Sequence, residues 1–96
     1  MTLQEGLNIL RIESGANDAI VSGLIEAIPG YIETTTGLTE EKQEEEALVK
    51  VASQFLLTLW YYGEKVDEAS MNRTIEAILK AITAKVRNET DRTGNI

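Results

Sequence analysis

Residues 47–63 read ALVKVASQFLLTLWYYG, and the apolar pattern of this stretch decides the fold. Leu48, Ala52, Phe55, Leu59 and Tyr62 recur at helical spacing and form one stripe. Val49, Leu56 and Trp60 form a second stripe, roughly 100° further around the axis. A helix apolar over so wide an arc has to be covered from two sides, which makes it the central element. Gly63 ends it. Leu57 and Tyr61 fall outside both stripes, so they are the residues of this helix that a partner would meet.

Upstream, Thr2-Leu3-Gln4-Glu5 has the form of a capping box, and Leu3, Leu7 and Leu10 follow as the stripe of a short helix. Ser14 to Asn17 breaks that helix. Asn17 or a neighbour caps a second one, with Asp18 near the positive end of its dipole. Ile20, Leu24, Ala27, Ile28, Tyr31 and Ile32 share one arc of the second helix, widened by Val21 and Ile25. Pro29 falls on its polar side and is expected to bend the helix or divide it. Gly37 suits a left-handed helix end, with Leu38 folding back onto the last turn.

The acidic run Glu40 to Glu46 then leads into the central helix. Beyond Gly63, residues 64–69 are a polar connection, and Ser70 or Asn72 caps a fourth helix. Ile75, Ile78, Leu79, Ile82 and Val86 line one face of that helix, while Arg73, Lys80 and Arg87, seven apart, line the other. From Asn88 onward the periodicity stops. The expected architecture is all-α: a compact bundle of four helices, or five if Pro29 splits the second. One domain covers residues 1–88, and residues 89–96 form a flexible C-terminal tail.

Ninety-six residues supply a single core. The absence of cysteine and histidine excludes disulfides, zinc-finger sites and every nucleophile that works through an imidazole partner. No apolar run approaches a membrane span, and the acidic start is not that of a signal peptide. The net charge of -7 opposes binding to phosphate backbones, and it is unevenly spread. Residues 1–46 carry ten acids and two bases, whereas residues 47–96 carry six acids and seven bases. Such a division is either a solvated acidic surface or one half of an acid-to-base contact between copies. On that second reading Glu40, Glu41 and Glu44 join Leu57 and Tyr61 as interface candidates, opposite Arg73, Lys80 and Arg87.

Glu40-Glu41-Lys42-Gln43-Glu44 followed by Glu64-Lys65-Val66-Asp67 also matches, as a string, the E-E-x-x-E…E-x-x-D pattern of all-α nucleotide pyrophosphohydrolases. Carboxylates one turn apart can hold magnesium against a triphosphate. Here the first acids have no apolar residue to anchor their helix, and Glu64 and Asp67 follow the Gly63 stop. No catalytic residue, cofactor or metal ligand is therefore expected. The Trp60-Tyr61-Tyr62 cluster lacks the interleaved bases of a nucleic-acid stacking platform. A small helical interaction module, such as an antitoxin or a regulator-binding protein, is a further reading of the same features.

The order of Leu7, Leu10-Arg11-Ile12-Glu13, Asn17-Asp18, Ile20, Leu24-Ile25, Ala27, Ile32-Glu33 and Thr36-Gly37 resembles the opening of phage head–tail connector proteins. These are small adaptors of long-tailed phages, often described as DNA-packaging proteins. The helix end Trp60-Tyr61-Tyr62-Gly63-Glu64 is similar to the aromatic helix end of that family, and the resemblance extends over about residues 3–86. The chain departs from the family pattern in Pro29, in Glu64-Lys65 after the aromatics, and in lacking a proline before the last helix.

The resemblance implies a structural subunit of the virion, assembled from the host cytoplasm, that joins a ring (typically twelvefold) beneath the portal protein. Such a ring extends the DNA channel without reading sequence, and it docks a neck or tail-completion protein. By position, portal binding would fall to the segment from Arg87 through Arg92, Thr93, Gly94, Asn95 and Ile96.

Overall fold

The computed structural model describes the backbone of residues 1–94 and the side chains of residues 1–63 and 65–89. Within these residues the chain is all helix: α1 (Leu3–Leu10), α2 (Asp18–Thr36), α3 (Glu40–Gln43), α4 (Ala47–Tyr62) and α5 (Glu68–Gly94), with one 3₁₀ turn at Gly63–Lys65. The expected capping box opens α1. The Glu5 amide donates to Thr2 Oγ1, and the Thr2 amide donates to Glu5 Oε1. Gly37, at φ 83°, closes α2 in the left-handed region, and Leu38 turns back into the core.

α2 and α4 pack side by side and form the middle of the molecule. Both contact α1 and both contact α5, so α1 and α5 cover opposite sides of the pair, while α3 rests on α2. The helices alternate in direction, as short connections between long helices require. At one end the close of α1 and α4 meets the start of α2. At the other end the start of α4 lies level with Lys85 of α5, fixed by the ion pair between Lys85 Nζ and Glu46 Oε1 at 3.1 Å. The core runs along the axis through Leu7, Leu10, Val21, Ile28, Ile32, Leu56, Leu57, Ile75 and Ile82.

Four expectations need correction. Leu57 is not a surface residue; it is wholly buried, because α1 covers that side of α4. Gly6 of α1 lies at the same junction and favours its approach to α2: a Cβ there would be in ordinary contact with Leu57 Cδ2 but only 2.6 Å from Ile25 Cδ1. Ile20 is not part of the buried arc of α2 but 58% exposed, as the face that enters the core is the one carrying Val21, Ile28 and Ile32. Pro29 is not on a solvated polar side of α2, which stays a single helix through it; it lies half-buried beside α3, where its carbonyl accepts from Gln43 Nε2 at 2.9 Å. Finally, α5 begins two residues before Ser70. Asp67 provides the cap instead, accepting from the Ser70 amide through Oδ1.

α5 is the longest element. Its 27 residues span about 40 Å. That helix stretches the molecule to 53 × 27 × 18 Å and raises the radius of gyration to 14.7 Å, against about 13 Å for a sphere-like chain of this length. Val86 packs against the core; Arg87, Asn88 and Glu89 are exposed, and the helical backbone continues to Gly94. The segment expected as a tail therefore begins as an extension of α5. The side chains of residues 90–94, and Asn95 and Ile96 altogether, lie outside the described residues.

Candidate interaction surface

The acidic run is built into the fold rather than left as a frayed helix start. α3 has no apolar anchor, but Gln43 replaces one. Its side chain is buried, and its amide nitrogen donates to the carbonyls of Pro29 (2.9 Å) and Leu38 (3.0 Å). Glu33 Oε1 accepts from the Glu40 amide at 3.0 Å and so holds the start of α3. Glu46 caps α4 by accepting from the Leu48 amide, and it also receives Lys85. The bond from Lys85, followed by that from the Leu48 amide, holds the Glu46 carboxyl below its ordinary pKa.

These arrangements leave an open groove of about 470 Å³ between the start of α1, Pro29 of α2, α3 and the first two turns of α4. Met1, Ile9, Pro29 and Val49 give it an apolar floor, while Glu5, Glu40, Glu44 and Glu46 stand around it with Lys50 as the lone base. A concavity of this size takes a few side chains and not a whole helix. Among the described residues, Glu5, Glu40 and Glu44 have no cationic partner. The groove therefore presents unneutralised carboxylates beside apolar surface, which suits a basic side chain with an aliphatic stem.

The sequence candidates divide between core and surface. Leu57 belongs to the core. Tyr61 is half-buried at the opposite end of the bundle, where its hydroxyl accepts from Asn17 Nδ2 at 2.8 Å. Glu40 and Glu44 stand at the groove; Glu41 is exposed on α3 outside it. Arg73, Lys80 and Arg87 are all exposed on α5, and none of them lines the groove. Arg92, Thr93 and Gly94 lie on the helical backbone of α5, and Asn95 and Ile96 lie outside the described residues.

Sequence reasoning missed Met1, Glu5, Ile9, Pro29 and Gln43 as members of one site. They come from three separate elements, and nothing in their local spacing signals the meeting. The described residues include no group of three acids placed to hold a cation. Asp67 in particular is engaged in capping α5. Among the described residues no helix is long and apolar enough to cross a membrane.

The wide apolar arc of α4 is absorbed within the protomer by α1, α2 and α5. Among the described residues, the large apolar side chains left exposed are Met1, Ile20, Tyr31 and Val51, and they are divided among three helical regions. No family model, curated protein or solved structure matches this chain.

Proposed function

We propose that the chain is a non-catalytic structural subunit of a phage head–tail connector, closing with its own copies into a ring on the portal. One observation carries the reading: unlike charge sits on opposite sides of the α2–α4 pair. The acid-rimmed groove lies on the α1 side, and the basic face of α5 lies on the other. Among the described residues of the protomer, α5 reaches the groove only through the Lys85–Glu46 pair, whereas a head-to-tail contact with a second copy would bring Arg73, Lys80 or Arg87 to the remaining acids. Repeated around an axis, such a contact closes a ring.

The ordered resemblance to connector proteins supplies the setting. The helical backbone of α5 runs on past Val86, with Arg87, Asn88 and Glu89 exposed, and the resemblance assigns portal binding to the segment from Arg87 onward. An acidic subunit around passing DNA also avoids holding the phosphates.

Electron microscopy of the protein mixed with the portal protein of the same genome tests the reading. A collar of added density beneath the portal is expected, and its absence would overturn the connector assignment. Removing residues 88–96 should leave the helical circular-dichroism signal and melting temperature nearly unchanged while portal binding falls.

A further inference from the structure

We propose that Lys80, on the outer face of α5, enters the acid-rimmed groove of the neighbouring copy and is the central contact between ring subunits. The inference rests on the connector reading for its ring, but the choice of residue comes from the register of the helices. α4 and α5 run antiparallel, and the Glu46–Lys85 pair fixes their relative height. Each step along α4 from Glu46 is matched by one step back along α5 from Lys85. Lys50 is then level with Ala81, and Gln54 with Ala77. The α4 wall of the groove, Glu46 to Gln54, thus lies level with Ala77 to Lys85 on α5 of the same protomer.

We take the ring axis to run parallel to the helices, so that subunits related by pure rotation keep their heights and the part of α5 that meets the neighbour's groove is the stretch from Ala77 to Lys85. Within it, Lys85 is held by Glu46 of its own chain, which leaves Lys80 as the basic side chain of that stretch without an ion pair among the described residues. Ala77, Ala81 and Ala84 are exposed around it and keep the helix surface low, so the lysine can reach past them. Its ammonium would meet Glu44, Glu40 and Glu5, and its methylene stem would lie over Ile9, Pro29 and Val49. Arg73 lies about 10 Å further along α5, towards the other end of the bundle, and misses the groove.

The chain has no cysteine, so site-directed cross-linking reads the contact without background. The variant E44C/K80C, treated with a short bis-maleimide at rising protein concentration, should give a ladder of covalent multimers. The control E44C/R73C should not. All three positions are exposed, and circular dichroism checks that the variants fold.

Charge reversal gives a second reading. E44K or K80E alone should weaken ring formation on the portal roughly tenfold, and the double reversal should recover it. Equal ladders from both cysteine pairs, no ladder from either, or rings on the portal indifferent to K80E would each overturn the Lys80 contact. In the last case the connector reading survives. Absence of any collar on the portal would defeat that reading, while a ladder from E44C/K80C alone would still uphold the contact between copies.

Discussion

The two ends of the bundle are finished in different ways. Where α1 and α4 end and α2 begins, polar groups satisfy one another: Tyr62 Oη donates to the Leu10 carbonyl, Asn17 Nδ2 donates to Tyr61 Oη, and Ser14 and Gly15 donate to Asp18. The Tyr61 and Tyr62 rings meet edge to face at 5.0 Å. At the opposite end the buried polar groups are satisfied around Gln43, but Glu40 and Glu44 face outward over an open groove. The first end holds the fold shut. The second offers charge that the protomer itself does not neutralise, and that is where a partner has something to gain.

Both ends hang from the same middle layer, so the largest expected effect comes from cutting it. Leu57→Ala removes a fully buried side chain between α4 and α1 and should cost about 2–5 kcal/mol in urea unfolding. A loss below about 0.5 kcal/mol would mean that α1 does not cover α4 as described. Gln43→Ala comes next. It strands the Leu38 carbonyl and the second acceptor site of Pro29 in a buried setting, at about 1–3 kcal/mol. Because Gln43 seats α3, this variant should also disturb binding at the groove, whereas no variant at the tyrosine end should.

Much of this division was legible in the sequence, and the exceptions share a cause. Periodicity located α1, α2, α4 and α5, and the capping box and Gly37 placed the start of α1 and the end of α2, because these signals act within one or two turns. Leu57 was misjudged because a helical wheel ranks positions by neighbours on the same helix. What buries it is α1, distant in sequence, which packs against α4 in the fold. Gln43 was passed over for the same reason. It reads as one polar residue among acids until the carbonyls of Pro29 and Leu38 are brought to it. The groove follows from both, so Glu40 and Glu44 were visible as candidates while Glu5, Glu46 and the apolar floor were not.

At the closed end, Tyr62→Phe deletes the hydroxyl bonded to the Leu10 carbonyl and keeps the ring contact with Tyr61. The expected loss is about 0.5–1.5 kcal/mol, with no change in assembly. Ring formation that fell along with stability would show that the tyrosine end also faces a partner, and the contrast between the two ends would fail.

The smallest effect separates the ends by acid. Asp18, at the closed end, has its pKa lowered by the Ser14 hydroxyl and then by the Gly15 amide; Glu46, at the groove, has its own lowered by Lys85 and then by the Leu48 amide. A carboxyl whose folded pKa lies below its unfolded value stabilises the fold above the unfolded value. That contribution is lost as the pH falls through the folded one. Urea midpoints should therefore hold steady at neutral pH and decline once the pH drops below the ordinary values of 4.5 for Glu46 and 3.8 for Asp18. Salt distinguishes the two. The Glu46–Lys85 pair is exposed on the lysine side and contributes less than about 1 kcal/mol, which added salt screens. Asp18 is held by neutral donors that salt does not screen. Glu46→Gln should thus remove the salt-sensitive part of the acid decline and Asp18→Asn the salt-insensitive part; an acid decline that salt leaves intact in the wild-type chain would mean that the groove end draws no stability from its ion pair.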